Sequence, residues 1–201
     1  MQKSPGKVLA SIFWDEDGIL LTDYLPKGQN INPEYYSSLL VQLKDILKKK
    51  RRGKVTKGIL FLHDNAPAYQ ALATQKKLAY LGIQCLDHPP YSLYLAPSDY
   101  HLFPGLKKQL KGCHFSSYAE VISATETCFD RQPSKFFLSG LQKLQQRAKK
   151  CTELRGEYVE QIPSLVSIAC FLPGQAKDFS APPHMCVCVY IHIHTYIHTH
   201  I

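Results

Sequence analysis

The chain has 201 residues, of which 45% are hydrophobic, enough for one domain with a buried core. Lys and Arg number 24 against 16 Asp and Glu, and a formal net charge of +8 favours an anionic partner, most commonly nucleic acid. No run of 18 apolar residues is present, so no membrane helix is predicted. The seven cysteines form no Cys-x-x-Cys pair, which argues against a zinc ribbon or a disulfide framework and favours a reducing compartment.

The first predicted elements are a β-hairpin and a helix. KVLASIFW (7–14) and GILLTDYL (18–25) are apolar runs joined by a short acidic turn, in which Gly18 can take a positive φ. Asn32-Pro33 predicts a helix start, and apolar residues then repeat at helical spacing. KKKRR (48–52) follows, and its cations suit the C-terminus of a helix.

Strands and helices then alternate. GILFLHD (58–64) predicts a short buried strand, PAYQALATQKKLAYLG (67–82) a helix ended by Gly82, and IQCLDH (83–88) another strand. This order indicates an α/β sheet.

The second half of the sequence has a helical pattern. Ser98 is a candidate helix cap, and Pro104 is expected to bend or delay the helix that follows. Ser117 and Glu120 match a capping box, and a last helix is predicted from about Lys135 to Cys151.

The last forty residues have a different composition. MCVCVYIHIHTYIHTHI (185–201) is low in complexity and has the alternation that translated microsatellite DNA would give. We therefore predict an unstructured tail over residues 161–201. Its histidines and cysteines could bind Zn²⁺ or Ni²⁺ adventitiously, but the repeat origin argues against a selected metal site.

Two carboxylates stand at the ends of predicted elements. Asp64 ends the strand 58–64, Asp99 lies at a helix start, and residues 65–98 separate them. Ligand sites in α/β folds lie at the carboxyl ends of strands. A divalent cation such as Mg²⁺ would offset the repulsion between two carboxylates, and paired ions stabilise a phosphodiester displacement. By spacing alone, the favoured alternative is that each Asp only caps a helix or occupies its first turn.

Several motifs in order resemble the mariner-type DNA transposases: LFLHDNAPA (60–68), HPPYS (88–92) and LAPSDYHLFPGLKKQLKG (95–112). Residues 8–32 and 140–160 extend the resemblance. It implies a catalytic domain over residues 1–160 with an RNase H-like (integrase-type) fold, a mixed α/β sheet flanked by helices with a helical C-terminal half.

This resemblance also implies an activity and its site. Asp64 matches the family's second catalytic acid, in an HDNA motif, and Asp99 matches the third, after the same 34-residue interval. The implied chemistry is metal-dependent DNA cleavage and strand transfer with Mg²⁺ or Mn²⁺ on Asp64 and Asp99. The implied partner is DNA, with a possible homo-oligomer, no small-molecule substrate, no membrane and a nuclear location.

The sequence departs from the family pattern at its N-terminus. The family's first catalytic Asp lies on a central first strand upstream of the position of Val8, and its helix-turn-helix region is also absent. Asp15, Asp17 and Asp23 are not substitutes, because they lie on or beside the hairpin. We therefore expect an N-terminally truncated and catalytically inactive domain.

The loss of that strand would leave two strand edges open. They lie around Phe13 and around Phe61, and they could pair with each other or with another chain. Leu93-Tyr94 also replaces the family's usual Pro-Asp, which alters the loop before Asp99.

Two other functions are compatible with the sequence. The chain could be a non-enzymatic nucleic-acid-associated protein that uses its basic surface, or a pseudogene product without a selected role. The candidates for a DNA-backbone contact or a nuclear-import signal are Lys48, Lys49, Lys50, Arg51 and Arg52. A solvated helix end is an equally favoured alternative for this run of cations.

Four further side chains have alternative roles. His63 is predicted as a polar residue at a strand end rather than a proton shuttle. Tyr91, Tyr94 and Tyr100 are predicted as core residues rather than stacking platforms for bases.

Overall fold

The structure is a computed structural model that describes residues 6–26, 28–50, 59–63, 67–86, 95–153 and 184–195. It contains one mixed sheet with helices on both faces. None of the helices within these ranges is both long enough and apolar enough to span a bilayer. The strands are β1 (Gly6–Asp15), β2 (Gly18–Leu25), β3 (Ile59–Leu62), β4 (Ile83–Leu86) and β5 (His184–Thr195). The helices are α1 (Pro33–Lys50), α2 (Pro67–Gln70), α3 (Leu72–Tyr80), α4 (Phe103–Leu110), α5 (Tyr118–Asp130) and α6 (Ser134–Glu153).

The predicted hairpin is present, and Asp15 closes its turn. The Asp15 side chain is buried, and its Oδ1 accepts hydrogen bonds from the backbone N–H groups of Asp17 at 2.9 Å and Gly18 at 3.0 Å. Gly18 has a φ of 146°, as the turn sequence predicts. Asp23, on β2, accepts a hydrogen bond from the Tyr35 hydroxyl of α1. Both carboxylates therefore have hydrogen-bonding roles in the hairpin.

The helix predicted over residues 67–82 is interrupted. Ala71 is extended, with φ −59° and ψ 138°, and it separates α2 from α3. Thr74 Oγ1 donates to the carbonyl of Ala68, and Gln75 Nε2 donates to the carbonyl of Tyr69. These side chains bond carbonyls at the end of α2 that a continuous helix would have bonded with backbone N–H groups.

Other predicted helix boundaries agree with the structure. Pro33 begins α1, with the Asn32 side chain accepting from the Tyr35 N–H at 2.7 Å. Ser117 caps α5 by accepting from the N–H of Glu120 at 3.3 Å. The Glu120 carboxylate reaches back to Ser116, and these hydrogen bonds lower the pKa of Glu120.

The sheet has the strand order β2-β1-β5-β3-β4. β1 pairs antiparallel with β2 on one side and with β5 on the other. β3 pairs parallel with both β4 and β5. The strand at the centre of the sheet is therefore the one formed by residues 184–195.

Residues 184–195, which composition placed in an unstructured tail, form this central strand. Two physical reasons favour it: the segment is rich in β-branched Val and Ile, and β1 and β3 each offer an edge of backbone N–H and C=O groups. The edges predicted to be open, at Phe13 and Phe61, are instead paired with Cys188 and Cys186. The domain boundary at residue 160 stays a prediction, because residues 154–183 lie outside the described ranges.

Successive side chains of a strand point to opposite faces of the sheet, so the buried residues form two clusters, one on each face. Phe13 of β1 and Phe61 of β3 pack with α1, α2 and α3. Ile12 and Trp14 of β1 and Leu62 of β3 pack with α4, α5 and α6. We call these the α1 face and the α6 face.

Candidate active site

Asp99 is exposed on a π-helical turn, Ser98–Leu102, that immediately precedes α4. Its backbone N–H donates to the carbonyl of Ala96 at 2.9 Å, while its neighbours Ser98 and Leu102 are buried on the α6 face. The chain therefore fixes the backbone on both sides of Asp99 and leaves the carboxylate at the surface.

Pro104 gives a reason for the π-helical geometry. Proline has no N–H, so the usual α-helical bond to the carbonyl four residues earlier cannot form there. The preceding residue, Phe103, instead donates its N–H to Ser98, five residues back. The prediction that Pro104 delays the helix is confirmed, because α4 begins at Phe103.

Ser98 connects the π-helical turn to the sheet. Its hydroxyl accepts a hydrogen bond from the indole Nε1 of Trp14 on β1 at 3.1 Å, and both side chains are fully buried. The prediction that Ser98 caps the helix is wrong, because Ser98 lies inside the π-helical turn, and the cap positions are Pro97 for this turn and Leu102 for α4. The reason is that a buried indole N–H needs an acceptor, and Ser98 is the residue that supplies it.

Tyr100 connects the same turn to α6. Its hydroxyl donates to the carbonyl of Gly140 at 2.9 Å, and the Arg147 guanidinium lies 3.8 Å from the centre of its ring. The tyrosine is half-buried, and Arg147 covers one face of its ring. Tyr91 and Tyr94, the other two tyrosines considered for base stacking, lie outside the described residues.

His101 makes a second connection to α6. Its Nε2 donates to the carbonyl of Phe136 at 2.7 Å, and its ring stacks on the Phe136 ring with centroids 4.2 Å apart. Burial lowers the pKa of His101, the hydrogen bond to Phe136 opposes this shift, and the charge of Lys143 adds to it. His101 is therefore mainly neutral at pH 7 and acts as a packed hydrogen-bond donor.

Gly140 allows α6 to approach the π-helical turn closely. A Cβ atom at this position would lie 2.7 Å from Cδ2 of His101 and 3.2 Å from Cη2 of Trp14. Only a residue without a side chain fits this contact without a shift of its neighbours. Gly140, Trp14, Tyr100 and His101 together hold the segment that carries Asp99, and we call these four residues the Asp99 support.

His63 lies at the end of β3 on the opposite face of the sheet. It is buried, and its ring centroid lies 4.9 Å from that of Tyr69 and 5.5 Å from that of Phe61. The Tyr36 hydroxyl is 3.5 Å from its Nδ1. These contacts place His63 in the aromatic packing at the end of β3, and the choice between a polar strand-end residue and a proton shuttle stays a prediction.

The next residue, Asp64, lies outside the described residues, and its pairing with Asp99 therefore stays a prediction. Among the residues that the structure describes, no group of three or more His, Cys, Asp or Glu is arranged to hold a metal ion. Asp99 does supply an exposed carboxylate, the oxygen ligand that Mg²⁺ and Mn²⁺ accept.

The candidate DNA contacts begin at the C-terminal end of α1. Lys48, Lys49 and Lys50 form its last turn and are exposed, a favourable position for cations beside the negative end of a helix. Arg51 and Arg52 lie outside the described residues.

The sequence reasoning missed the Asp99 support. Its signals are weak one by one: a single tryptophan, a Tyr-His pair after an Asp, and a glycine inside a helical pattern. A glycine within a helix costs stability and usually has a packing reason, so Gly140 was the strongest of these signals.

Comparison with known proteins assigns the family. A family model for "Transposase (partial DDE domain)" matches residues 1–57. The chain is 35% identical over 156 residues to the Mariner Mos1 transposase of Drosophila mauritiana, and the matched region covers 77% of this chain and 45% of that protein. It is 32% identical over 157 residues to the human histone-lysine N-methyltransferase SETMAR, and the matched region covers 78% of this chain and 23% of that protein. The chain thus spans less than half the length of either relative.

The solved structures give the same assignment. The catalytic domain of Mos1 transposase, solved with raltegravir and Mg, is similar with a TM-score of 0.71 and 35% sequence identity. This similarity covers 77% of the present chain and 79% of the catalytic-domain chain. The predicted resemblance and the predicted RNase H-like fold are both confirmed. The chain therefore belongs to the mariner-type transposases and has the fold of their catalytic domain.

Proposed function

We propose that this chain binds DNA and a divalent cation as a mariner-type transposase catalytic domain does, but does not cleave DNA by itself. The observation that carries the proposal is the exposed carboxylate of Asp99. The turn that contains Asp99 is hydrogen-bonded to β1 through Ser98 and to α6 through Tyr100. The Mos1 transposase has been solved with Mg, with Mn and in a paired-end complex with the left transposon end. Transposon-end DNA is therefore the partner class we propose here.

The cation would be held by Asp64 and Asp99. Mg²⁺ or Mn²⁺, when bound, stabilises charge on the oxygens of a phosphodiester that undergoes displacement. The residues of the chain contribute position: Ser98 and Trp14 fix the turn against the sheet, and Tyr100 fixes it against α6. A ligand that is already oriented loses less conformational freedom when the cation binds.

The composition of the central strand supports the proposed inactivity. The resemblance requires three acids, with the first on the central strand. Here that strand is β5, HMCVCVYIHIHT, which contains neither Asp nor Glu. The nearest carboxylate on the neighbouring strand β1 is Asp15, which is already engaged with the hairpin turn. Two acids supply only part of a two-metal site.

A plasmid-nicking assay tests the inactivity. The purified chain is incubated with supercoiled DNA and either Mg²⁺ or Mn²⁺, and we expect no nicked product above the level given by Asp64→Ala. Nicking by the wild-type chain that Asp64→Ala abolishes would contradict the proposal.

Metal binding is tested separately by thermal unfolding. Millimolar Mg²⁺ should raise the melting temperature of the full chain slightly, and Asp64→Asn or Asp99→Asn should each remove the rise. Mg²⁺ is the appropriate probe because it prefers oxygen ligands and avoids the histidines of the C-terminal segment. Asp45→Asn, an exposed change on α1, is the control and should keep the rise. A rise that survives both site variants would contradict the metal site.

A second function, sequence-independent DNA binding, is favoured by the exposed lysines at the end of α1. Affinity for a DNA duplex should fall steeply with salt. Lys48, Lys49 and Lys50 changed together to Gln should flatten the slope by about 0.9 for each phosphate that the protein no longer neutralises. The control removes the same charge from exposed, separated positions: Lys76, Lys111 and Lys135.

Equal flattening of the salt dependence by both sets of substitutions would contradict a specific role for α1 in this binding.

The nucleus is the location that we propose, and a fluorescently tagged chain in cells tests it directly.

A further inference from the structure

β5 is the connection between the two halves of the sheet. β1 and β2 pair with each other, and β3 and β4 pair with each other. Among the described strands β1 has no ladder with β3, because β5 lies between them. Without β5 the sheet would consist of two separate two-stranded pieces.

The pairing of β5 is extensive. It runs antiparallel along the whole of β1, from Asp15 opposite Cys186 to Gly6 opposite Thr195. It also runs parallel along the four residues of β3. Backbone groups on the inner edges of β1 and β3 thereby gain hydrogen-bond partners that buried strands require.

The core is continuous across β5. Neighbouring strands lie about 4.8 Å apart, so β1 and β3 are separated by about 9.6 Å. The rings of Phe13 and Phe61 nevertheless stack across this gap, with centroids 6.2 Å apart and planes at 17°. Both rings and the neighbouring Trp14 are fully buried. The gap between β1 and β3, which β5 occupies, therefore has buried aromatic side chains on each of its two neighbouring strands, Phe13 and Trp14 on β1 and Phe61 on β3.

Three properties of residues 184–195 are those of a strand ligand. The segment lies near the C-terminus and is joined to α6 only through residues 154–183. It contains no proline, which would interrupt a strand, and no Asp, Glu, Lys or Arg. It is also rich in Val and Ile, which favour the extended conformation.

We propose that the gap between β1 and β3 is a strand-binding site, and that residues 184–195 are its exchangeable peptide ligand. The bound peptide runs parallel to β3 and antiparallel to β1, and main-chain hydrogen bonds to both neighbours supply most of its recognition. The site therefore takes, in one direction, an extended peptide that lacks proline, Asp, Glu, Lys and Arg.

Trp14 is a natural probe for this site. It is the only tryptophan of the chain, it is fully buried, and it lies opposite Val187 of β5. Loss of β5 should expose the indole and move its emission to longer wavelength. A peptide with the sequence of residues 184–195 contains no tryptophan, so it can be added without contributing to the signal.

The experiment uses the full chain with Val187→Pro. Val187 pairs with both Trp14 and Leu62, and proline in a central strand removes a donor and does not fit the ladder. We expect a red shift of Trp14 emission and loss of a cooperative unfolding transition. The matched control, His198→Pro, lies beyond Thr195 and should behave as the wild type.

Addition of the 184–195 peptide to the Val187→Pro chain should restore the emission in a saturable manner. The same peptide with proline at position 187 should not. Unchanged emission in the Val187→Pro chain, or failure of the unmodified peptide to restore it, would overturn the proposal.

A disulfide test covers the case in which the proline variant aggregates. Leu9 lies opposite His192, so Leu9→Cys with His192→Cys should form a disulfide, because paired antiparallel residues lie within bonding range. The control pair, Leu9→Cys with Ile191→Cys, is out of register, because Ile191 lies opposite Ala10.

Peptide mapping under non-reducing conditions should find the 9–192 link within one chain. No link, or a link between two chains, would overturn the assignment of the site to the chain's own C-terminal segment.

Discussion

The two faces of the sheet solve different problems with similar residue types. On the α1 face, Tyr36 lies at the centre of an aromatic cluster: its ring centroid is 4.2 Å from that of Tyr69 and 6.2 Å from that of His63. On the α6 face, Trp14 packs at 6.0 Å from Phe137 and also donates a hydrogen bond to Ser98. The first face buries rings against rings, whereas the second uses polar groups of aromatic residues to fix a backbone.

The same difference distinguishes two sequence motifs: HDNA (63–66), whose His63 packs on the α1 face, and SDYH (98–101), which lies on the α6 face. His63 of the first motif belongs to the α1 face and packs, although it precedes a predicted catalytic acid. Ser98, Tyr100 and His101 of the second motif each make a hydrogen bond that fixes the turn around Asp99. A change at Tyr36 on the α1 face should therefore alter stability, and a change at Ser98 on the α6 face should alter both stability and metal binding.

The largest effect is expected for Tyr36→Ala on the α1 face. Removal of a fully buried aromatic ring leaves a cavity, and the free energy of unfolding should fall by about 3–5 kcal/mol. Tyr36→Phe keeps the ring and removes the hydroxyl, which lies 3.5 Å from Nδ1 of His63, so it should change stability by less than about 1 kcal/mol. Urea denaturation measures both. Similar values for the two variants would contradict the packing role of this face.

Ser98→Ala tests the α6 face. It leaves the buried Trp14 N–H without its acceptor, which should lower the free energy of unfolding by about 1–3 kcal/mol. Because the turn loses its connection to β1, the rise in melting temperature produced by Mg²⁺ should also shrink. Ser123→Ala, an exposed change on α5, is the control and should stay within about 0.5 kcal/mol of the wild type. A full Mg²⁺ effect in Ser98→Ala would show that this bond does not position Asp99.

Gly140→Ala and Gly105→Ala form a pair with opposite expected signs. Both glycines lie in helices, where alanine gains about 1 kcal/mol in propensity. At Gly140 the new methyl group would meet Cδ2 of His101 at 2.7 Å, and overpacking costs about 1–3 kcal/mol. At Gly105 the nearest atom, Cζ of Phe136, is 3.4 Å away.

We therefore expect a net loss of about 1 kcal/mol for Gly140→Ala, as overpacking exceeds the propensity gain. Gly105→Ala should be neutral or slightly stabilising. Denaturation of the two variants in parallel measures the difference, and a stabilising Gly140→Ala would mean that the contact between α6 and the turn is not tight.

Much of the fold was predictable because its signals are local. The hairpin, the start of α1 at Pro33 and the cap at Ser117 each depend on a few neighbouring residues. The central position of β5 was not predictable in this way, because it depends on pairing between β1 and a segment more than 170 residues later. Composition identified the repeat in that segment but not the open edges that it would meet.

The candidate site was likewise predictable only where its signals are local in the sequence. The motif spacing selected Asp99, but the partner of Ser98 is Trp14, 84 residues away in the sequence. A hydrogen-bonding serine before a helix is usually a cap, and only the burial of an indole N–H beside it changes that role.

The smallest expected effect is a pH dependence from His101 on the α6 face. Burial lowers its pKa, so the unfolded chain takes up a proton at a higher pH than the folded chain does. The stability that depends on neutral His101 is therefore complete above the unfolded pKa of about 6.5 and is lost as the pH falls through and below that value. The free energy of unfolding of the wild type should decrease more steeply from pH 7.5 to 5 than that of His101→Gln. Lys143→Gln removes a nearby positive charge, so NMR titration should find the pKa of His101 raised towards its ordinary value. Equal pH slopes for the wild type and His101→Gln would mean that the folded structure does not disfavour protonation of His101, and that the His101 contacts with Phe136 accommodate a charged ring.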